Sequence, residues 1–261
     1  MGNKPWVIPL GTSSALPGMQ DANSYLAVGS ASGRYWLVDC ADSPIPRLER
    51  AGIDPLAVEG LFITHFHPDH VYGLPAYWLG LMMLARERGI PLSHPVRVCA
   101  RAEVLSDVKA LAAVFQPQGW LEEVPLVYQE VAAQPKARVA DTDAFVVYAA
   151  PTAHSLPSMA VRFEVPESSR AFVYSGDTEP TPGVEQLAQD ANLLFHEATG
   201  DHEGHSSAAQ AGSVAAVAGV ERLVLIHLAG DPAFRAEARA AAQAQFGGPV
   251  EVAEAFRTYS W

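Results

Sequence analysis

The sequence predicts an α/β protein in which two β-sheets are sandwiched between helices. Three observations carry this. Strand-like segments alternate with helical ones through the first half of the chain, the same order returns in the second half, and no linker, low-complexity tract or short-period repeat separates the halves. Two similar halves sharing one core, a single domain over residues 1–261, is therefore expected over two independent domains.

The elements follow in order. Residues 4–10, 24–28 and 34–39 read as strands bounded by the turn signals Leu16-Pro17-Gly18 and Ser32-Gly33, the pattern of an antiparallel meander. Helical stretches at 46–51, 76–88 and 101–115 come next, separated by short apolar runs at 61–64 and 96–99 that suit buried strands. The stretch 116–135 reads as a loop. In the second half, strand-like segments at 144–149, 160–165 and 171–174 precede helical ones at 184–189, 206–218 and 233–246, with strands at 193–195 and 223–226 between them.

Composition narrows the class. With 261 residues, 49% hydrophobic, 18% charged and 2 Cys, the chain is not disordered, collagen-like, coiled-coil or a disulfide framework. Lys plus Arg number 17 against 29 Asp plus Glu, a net charge of −12, so no cationic groove for a nucleic-acid backbone is advertised. The start, MGNKPWVIPLG, lacks the pattern of a secretory signal, and no apolar run is long enough to span a bilayer. Cys40 and Cys99 sit in or beside apolar strands and read as buried free thiols, which fits a cytoplasmic location with no membrane partner.

Histidines gather where strands end. Directly after the apolar run 61–63 comes Thr64-His65-Phe66-His67-Pro68-Asp69-His70, four potential ligands in close succession. Fold stability has no use for such a cluster, because packed imidazoles and carboxylates repel or lose hydration unless a cation organises them. Further along, His154, Asp177 and His227 each close a strand-like run. Taken singly, each would be a turn Asp or a hydrogen-bonded core His; together with the cluster they complete two sites of three to four ligands.

This set, His65-x-His67-x-Asp69-His70 followed by His154, Asp177 and His227, resembles the metallo-β-lactamase superfamily. Leu10-Gly11-Thr12, Leu37-Val38-Asp39-Cys40 and Gly73-Leu74-Pro75 extend the resemblance over nearly the whole chain. It implies a four-layer αββα sandwich and two divalent ions, one on His65, His67 and His154, the other on Asp69, His70 and His227, with Asp177 bridging. Nitrogen and carboxylate ligands without thiolate suit zinc, with manganese and iron as alternatives.

Within the superfamily the chain resembles the ribonuclease Z-like branch. The matching features are His154-Ser155-Leu156-Pro157-Ser158 leading to Arg162-Phe163, the tetrapeptide His196-Glu197-Ala198-Thr199, and His205-Ser206-Ser207 opening a helix. The resemblance implies that Glu197 and His205 form a dyad that protonates a leaving oxygen. An HExxH zinc-protease reading of His196 fails, because position 200 is Gly. One departure stands out: ribonuclease Z inserts a long, basic, Gly-rich tRNA-gripping arm between the strand-end His and the bridging Asp, and only residues 155–176 lie between them here.

The expected function is therefore a dinuclear metal-dependent hydrolase of small phosphodiesters, cyclic ones included, with nucleic acid not expected as a partner. Two ions about 3.5–4 Å apart share a hydroxide that attacks in line, Asp69 orients it, and His205 held by Glu197 protonates the departing oxygen. The alternatives are hydrolysis of an ester, thioester, lactone or β-lactam at the same centre, tRNA 3′ processing, and a non-catalytic binding protein. Carbonyl chemistry needs no Glu197–His205 dyad, and a binding module needs no full ligand set. Arg162, His94 and His202 read as an ion-pair partner, a solvated loop residue and a rim residue. The helix at 76–84 reads as core, and the resemblance allows a homodimer through it.

Overall fold

The computed structural model describes residues 4–19, 21–92, 94–115, 123–166 and 168–261. In chain order the elements are β1 (Trp6–Gly11), β2 (Tyr25–Gly29), β3 (Tyr35–Val38), α1 (Pro44–Arg50), β4 (Val58–Phe62), α2 (Pro68–Val71), α3 (Leu74–Arg88), β5 (Val96–Ala100), α4 (Ala102–Phe115) and β6 (Leu126–Glu130). There follow β7 (Ala137–Asp141), β8 (Val146–Pro151), β9 (Met159–Glu164), β10 (Ala171–Tyr174), α5 (Pro182–Ala188), β11 (Leu193–Glu197), α6 (Ala208–Ala218), β12 (Leu223–Ile226), α7 (Pro232–Gln245), β13 (Val250–Val252) and β14 (Tyr259–Ser260).

Among the described residues the strands form two seven-stranded mixed sheets, ordered β14-β1-β2-β3-β4-β5-β6 and β13-β12-β11-β10-β9-β8-β7. Antiparallel pairing of β1, β2 and β3 gives way to parallel pairing from β3 to β6, and β7 to β10 then β10 to β13 make the same change. Parallel neighbours need crossovers, and helices supply them on the outer faces.

The four layers follow from side-chain alternation along strands that are buried on both faces. On β3, Tyr35 and Leu37 pack under α3, while Trp36 and Val38 point into the space between the sheets. Likewise Leu193 and Phe195 of β11 face the other sheet, and Leu194 faces the helices α5 and α6. The inter-sheet layer is rich in aromatics, with Trp36 edge-on to Phe163 at 6.1 Å and Phe172 edge-on to Phe195 at 5.3 Å. Each such side chain stabilises the fold by about 1.5–3 kcal/mol on burial. The result is the αββα sandwich.

One sequence reading changes, and two strands appear that the sequence did not suggest. The stretch 116–135 is not a loop throughout: residues 116–122 lie outside the described residues, and 126–130 form β6, an edge strand whose Val127 stays exposed and so lacks the apolar signature of a core strand. Residues 137–141 form β7, the edge strand of the second sheet, which lies beside β6 through the Gln129–Val139 hydrogen bond and leaves Arg138 and Asp141 exposed. The chain end also returns to the first sheet, where β14 pairs antiparallel with β1 through Tyr259 and Ser260. Two residues carry no period to read. Among the described residues no helix is long and apolar enough to cross a membrane.

Candidate metal centre

The chemistry-bearing residues collect at the carboxyl ends of the strands, the edge where open α/β sheets bind ligands. Asp39 follows β3, the segment 64–70 follows β4, His154 follows β8, Asp177 follows β10, Glu197 ends β11 and His227 follows β12. Pro68 starts α2, its fixed φ suiting the first helical position, and this short turn carries Asp69 and His70 back over the sheet edge. Asp39 and His227 both hold left-handed backbone, φ 60° and 59°. Non-glycine residues adopt that conformation at a cost, and here it turns each side chain from its strand into the cluster.

Two pockets form, sharing Asp177. In the first, His65, His67, His154 and Asp177 bring ligand atoms together, with His67 Nδ1 lying 3.0 Å from both His65 Nε2 and His154 Nε2. In the second, Asp69 Oδ2 approaches His70 Nε2 at 3.6 Å and His227 Nε2 at 3.5 Å. Asp177 Oδ2 lies 3.8 Å from His65 Nε2, 3.5 Å from His70 Nε2 and 3.7 Å from His227 Nε2.

The groups behind the imidazoles decide which nitrogen faces inward. His70 Nδ1 donates to the buried Asp39 carboxylate at 2.8 Å, and Asp39 also accepts from the Thr64 amide and hydroxyl. His65 Nδ1 donates to that hydroxyl at 3.0 Å, His154 Nδ1 to the Gly204 carbonyl at 2.7 Å, and His227 Nδ1 to the Thr199 hydroxyl at 2.7 Å. Nε2 of all four is thereby left with a lone pair pointing into the cluster. Oriented imidazoles of this kind are the usual device of metal sites.

The donor set fits divalent cations. His70 Nε2, His227 Nε2 and Asp177 Oδ1 are buried without a hydrogen-bond partner, and a buried orphan costs about 1–3 kcal/mol unless something else satisfies it. The electrostatics agree. Burial works against a charge on His70, yet Asp177 and Asp39 outweigh it and push the imidazole well above its usual range, so this spot favours positive charge. Burial pulls His65 well below its usual range, as suits a neutral nitrogen ligand.

Glu197 and His205 also meet. His205 Nδ1 donates to Glu197 Oε1 at 3.1 Å, and the fully buried carboxylate accepts from the backbone amides of Thr178, Ser206 and Thr199 as well. Burial lowers the His205 pKa, but the Glu197 hydrogen bond and the carboxylates of Glu197, Asp177 and Asp69 outweigh it and raise it overall. The His205 ring packs edge-on to His154 with centroids 5.0 Å apart, beside the first pocket. Behind it, Ser207 and Gln210 form a capping box that starts α6.

Other singled-out residues lie elsewhere. Arg162 pairs with Glu164 at 3.0 Å and donates to the Leu187 and Gln189 carbonyls, tying β9 to the end of α5. His94 is solvated beside Pro95, and His202 stands exposed against the His205 ring at 4.8 Å. His196 is buried and donates Nδ1 to the Glu197 carbonyl, outside both pockets. Sequence reasoning missed the orienting roles of Asp39, Thr64, Thr199 and Gly204. An Asp closing the apolar strand Tyr35–Val38 was the one available signal, since it repeats the pattern by which Asp177 was found.

The family model described as the Beta-lactamase superfamily domain matches residues 34–228. Ribonuclease Z of Salinibacter ruber is 32% identical over an alignment of 307 positions that covers 97% of this chain and 93% of its own. Among solved structures, the metallo-beta-lactamase fold protein YhfI from Bacillus subtilis superposes with a TM-score of 0.82 at 20% identity, covering 99% of this chain and 100% of that one. Human tRNase Z, short form, gives 0.77 at 23% identity and covers 98% of both chains.

These relatives correct one expectation. Nucleic acid does not drop out as a partner on the strength of net charge and a short interval between His154 and Asp177, because relatives of ribonuclease Z name span nearly the whole chain. Net charge sums over the entire surface, whereas a polyanion responds to the local field at a site.

Proposed function

The chain belongs to the beta-lactamase superfamily and is a metal-dependent hydrolase of ribonuclease Z-like type, and from that premise we propose that it hydrolyses phosphodiester bonds. The observation that carries this reading is the Glu197–His205 pair, 3.1 Å from Nδ1 to Oε1 and beside the first pocket. Hydrolysis of an activated carbonyl needs no dedicated proton donor for the departing group. An alkoxide leaving a phosphodiester does, and a placed acid contributes about 10²–10⁴ in rate.

His65, His67 and His154 would hold one divalent ion and Asp69, His70 and His227 a second, with Asp177 between them. Zinc suits this set of imidazoles and carboxylates. Bound there, such ions supply Lewis-acid stabilisation of phosphate charge and water acidified to neutral pH. The chain's own residues do the rest. Asp69, partly open to solvent, accepts a hydrogen bond from the incoming water and aligns it. Glu197 keeps the His205 Nδ1 proton in place and stabilises the imidazolium, so that Nε2 passes its proton to the leaving oxygen. Thr178, Ser206 and Thr199 pin Glu197 through their amides, so the dyad need not reorganise during the reaction.

The reacting unit is a phosphodiester carried by a small molecule or by the end of an RNA. The short interval of residues 155–176 supports the compact form, and the ribonuclease Z relatives support the RNA end. A metal-loaded substrate panel tests the proposal, with bis(p-nitrophenyl) phosphate, a 2′,3′-cyclic nucleotide and a precursor tRNA against a lactone and a thioester. Turnover of at least one phosphodiester well above both carbonyl substrates is expected. Turnover confined to the carbonyl substrates would overturn the reading.

A further inference from the structure

We propose that Glu179 and Gly204 are positioning residues that fasten the loop bearing His205 to His154. The inference rests on the ligand and dyad roles given above. Residues 200–205 carry the chain from the end of β11 toward α6, and Gly204 stands immediately before His205. Its N–H donates to Glu179 Oε1 at 2.9 Å, and its carbonyl accepts from His154 Nδ1 at 2.7 Å. Glu179 in turn donates its own N–H to the carbonyl of Ala153 at 2.8 Å, one residue before His154. Ala153, His154, Gly204 and Glu179 therefore close a ring of hydrogen bonds.

The ring joins two functions in one peptide group. The carbonyl that orients His154 belongs to the peptide bond whose N–H is that of His205, and this N–H donates to the His202 carbonyl at 3.0 Å. Position 204 admits only glycine. Its φ of +80° is left-handed, and a Cβ there would stand 2.8 Å from His154 Nδ1 and 3.3 Å from the Ser155 amide. Glu179 is exposed at the surface, where a carboxylate gains most from water, and here it accepts a backbone N–H instead, a charge-assisted bond that holds the loop down. Groups behind a ligating histidine change metal affinity by about 10–100-fold, and displacing this carbonyl also displaces the proton donor beside it.

The test uses the full chain stripped of metal and titrated with zinc against a chromophoric chelator, followed by turnover on two substrates. One is bis(p-nitrophenyl) phosphate, whose leaving group needs little protonation, and the other is a 2′,3′-cyclic nucleotide, whose alkoxide needs it. Glu179→Ala should weaken zinc binding about tenfold and slow the cyclic substrate by a larger factor than the activated one. Glu179→Gln keeps an acceptor oxygen and should restore both. Gly204→Ala should show the same pair of effects more strongly, with a thermal melt to confirm that it folds. Unchanged zinc affinity in Glu179→Ala, or equal damage in Glu179→Gln, would overturn the link to His154. Weaker zinc binding with an unaltered ratio between the two substrates would overturn the link to His205. A wild-type chain inert on both of these and on a precursor tRNA would instead end the phosphodiesterase reading and take the His205 half with it, while the zinc titration still decides the His154 half.

Discussion

The two pockets share Asp177, but three imidazoles complete the first whereas two imidazoles and the Asp69 carboxylate complete the second, and what stands behind the imidazoles differs too. In the first, His65 and His154 lean on neutral acceptors, the Thr64 hydroxyl and the Gly204 carbonyl, and His67 and His154 remain partly open to solvent. In the second, His70 and His227 are buried, and His70 is backed by the buried carboxylate of Asp39. A carboxylate behind an imidazole raises its basicity, and burial excludes competing water. The two sites are thus expected to differ in affinity, the second, which also contains the Asp69 carboxylate, being the tighter. The extra carboxylate and the groups one step behind the imidazoles both contribute to that difference.

Removing the shared group should erase the contrast. Asp177→Ala takes a carboxylate from both pockets, so metal content by elemental analysis should fall for both, and a purified variant that keeps wild-type metal would contradict the sharing. The next largest effect separates chemistry from binding. His205→Ala should leave metal content intact while turnover of a 2′,3′-cyclic nucleotide falls by about 10²–10⁴; metal loss in step with activity would place His205 among the ligands instead.

Finer changes sharpen the comparison itself. Asp39→Asn replaces the charged partner of His70 with a neutral one, which should weaken the second pocket by about 10–100-fold and the first by less, since Asp39 reaches His65 only through the Thr64 hydroxyl. Stepwise chelator titration reads the two pockets separately, and equal weakening of both would show that they do not act independently. Thr199→Val removes the hydroxyl behind His227, a neutral partner, so its effect on the second pocket should sit at the lower end of that range. A larger loss for Thr199→Val than for Asp39→Asn would mean that charge is not what distinguishes the pockets.

Much of this was legible in the chain itself because it is local. The run Thr64-His65-Phe66-His67-Pro68-Asp69-His70 lies within one loop and the first turn of α2, and its residue types have no structural use together. Strands such as β10 and β12 matched their apolar runs residue for residue, since strands buried on both faces read as unbroken hydrophobic sequence. Edge strands β6 and β7 escaped because two of the five side chains in each are exposed, which breaks the apolar run. The partnership of charge and substrate was also misjudged. A sum over 17 cations and 29 acids carries no information about where they lie.

Sequence alone determined which candidate ligands the chain offers and that they stand at strand ends, because residue type and the strand-to-loop boundary are properties of a few neighbouring residues. Tertiary structure decided how they are grouped and oriented. His67 meets His154 across 87 positions, His154 meets Gly204 across 50, and His70 meets Asp39 across 31. Contacts of that span exist only after two sheets have packed their strand ends side by side. Which nitrogen of His65, His70, His154 and His227 faces its pocket is set by hydrogen bonds to Thr64, Asp39, Gly204 and Thr199, a geometry that only the packed fold settles.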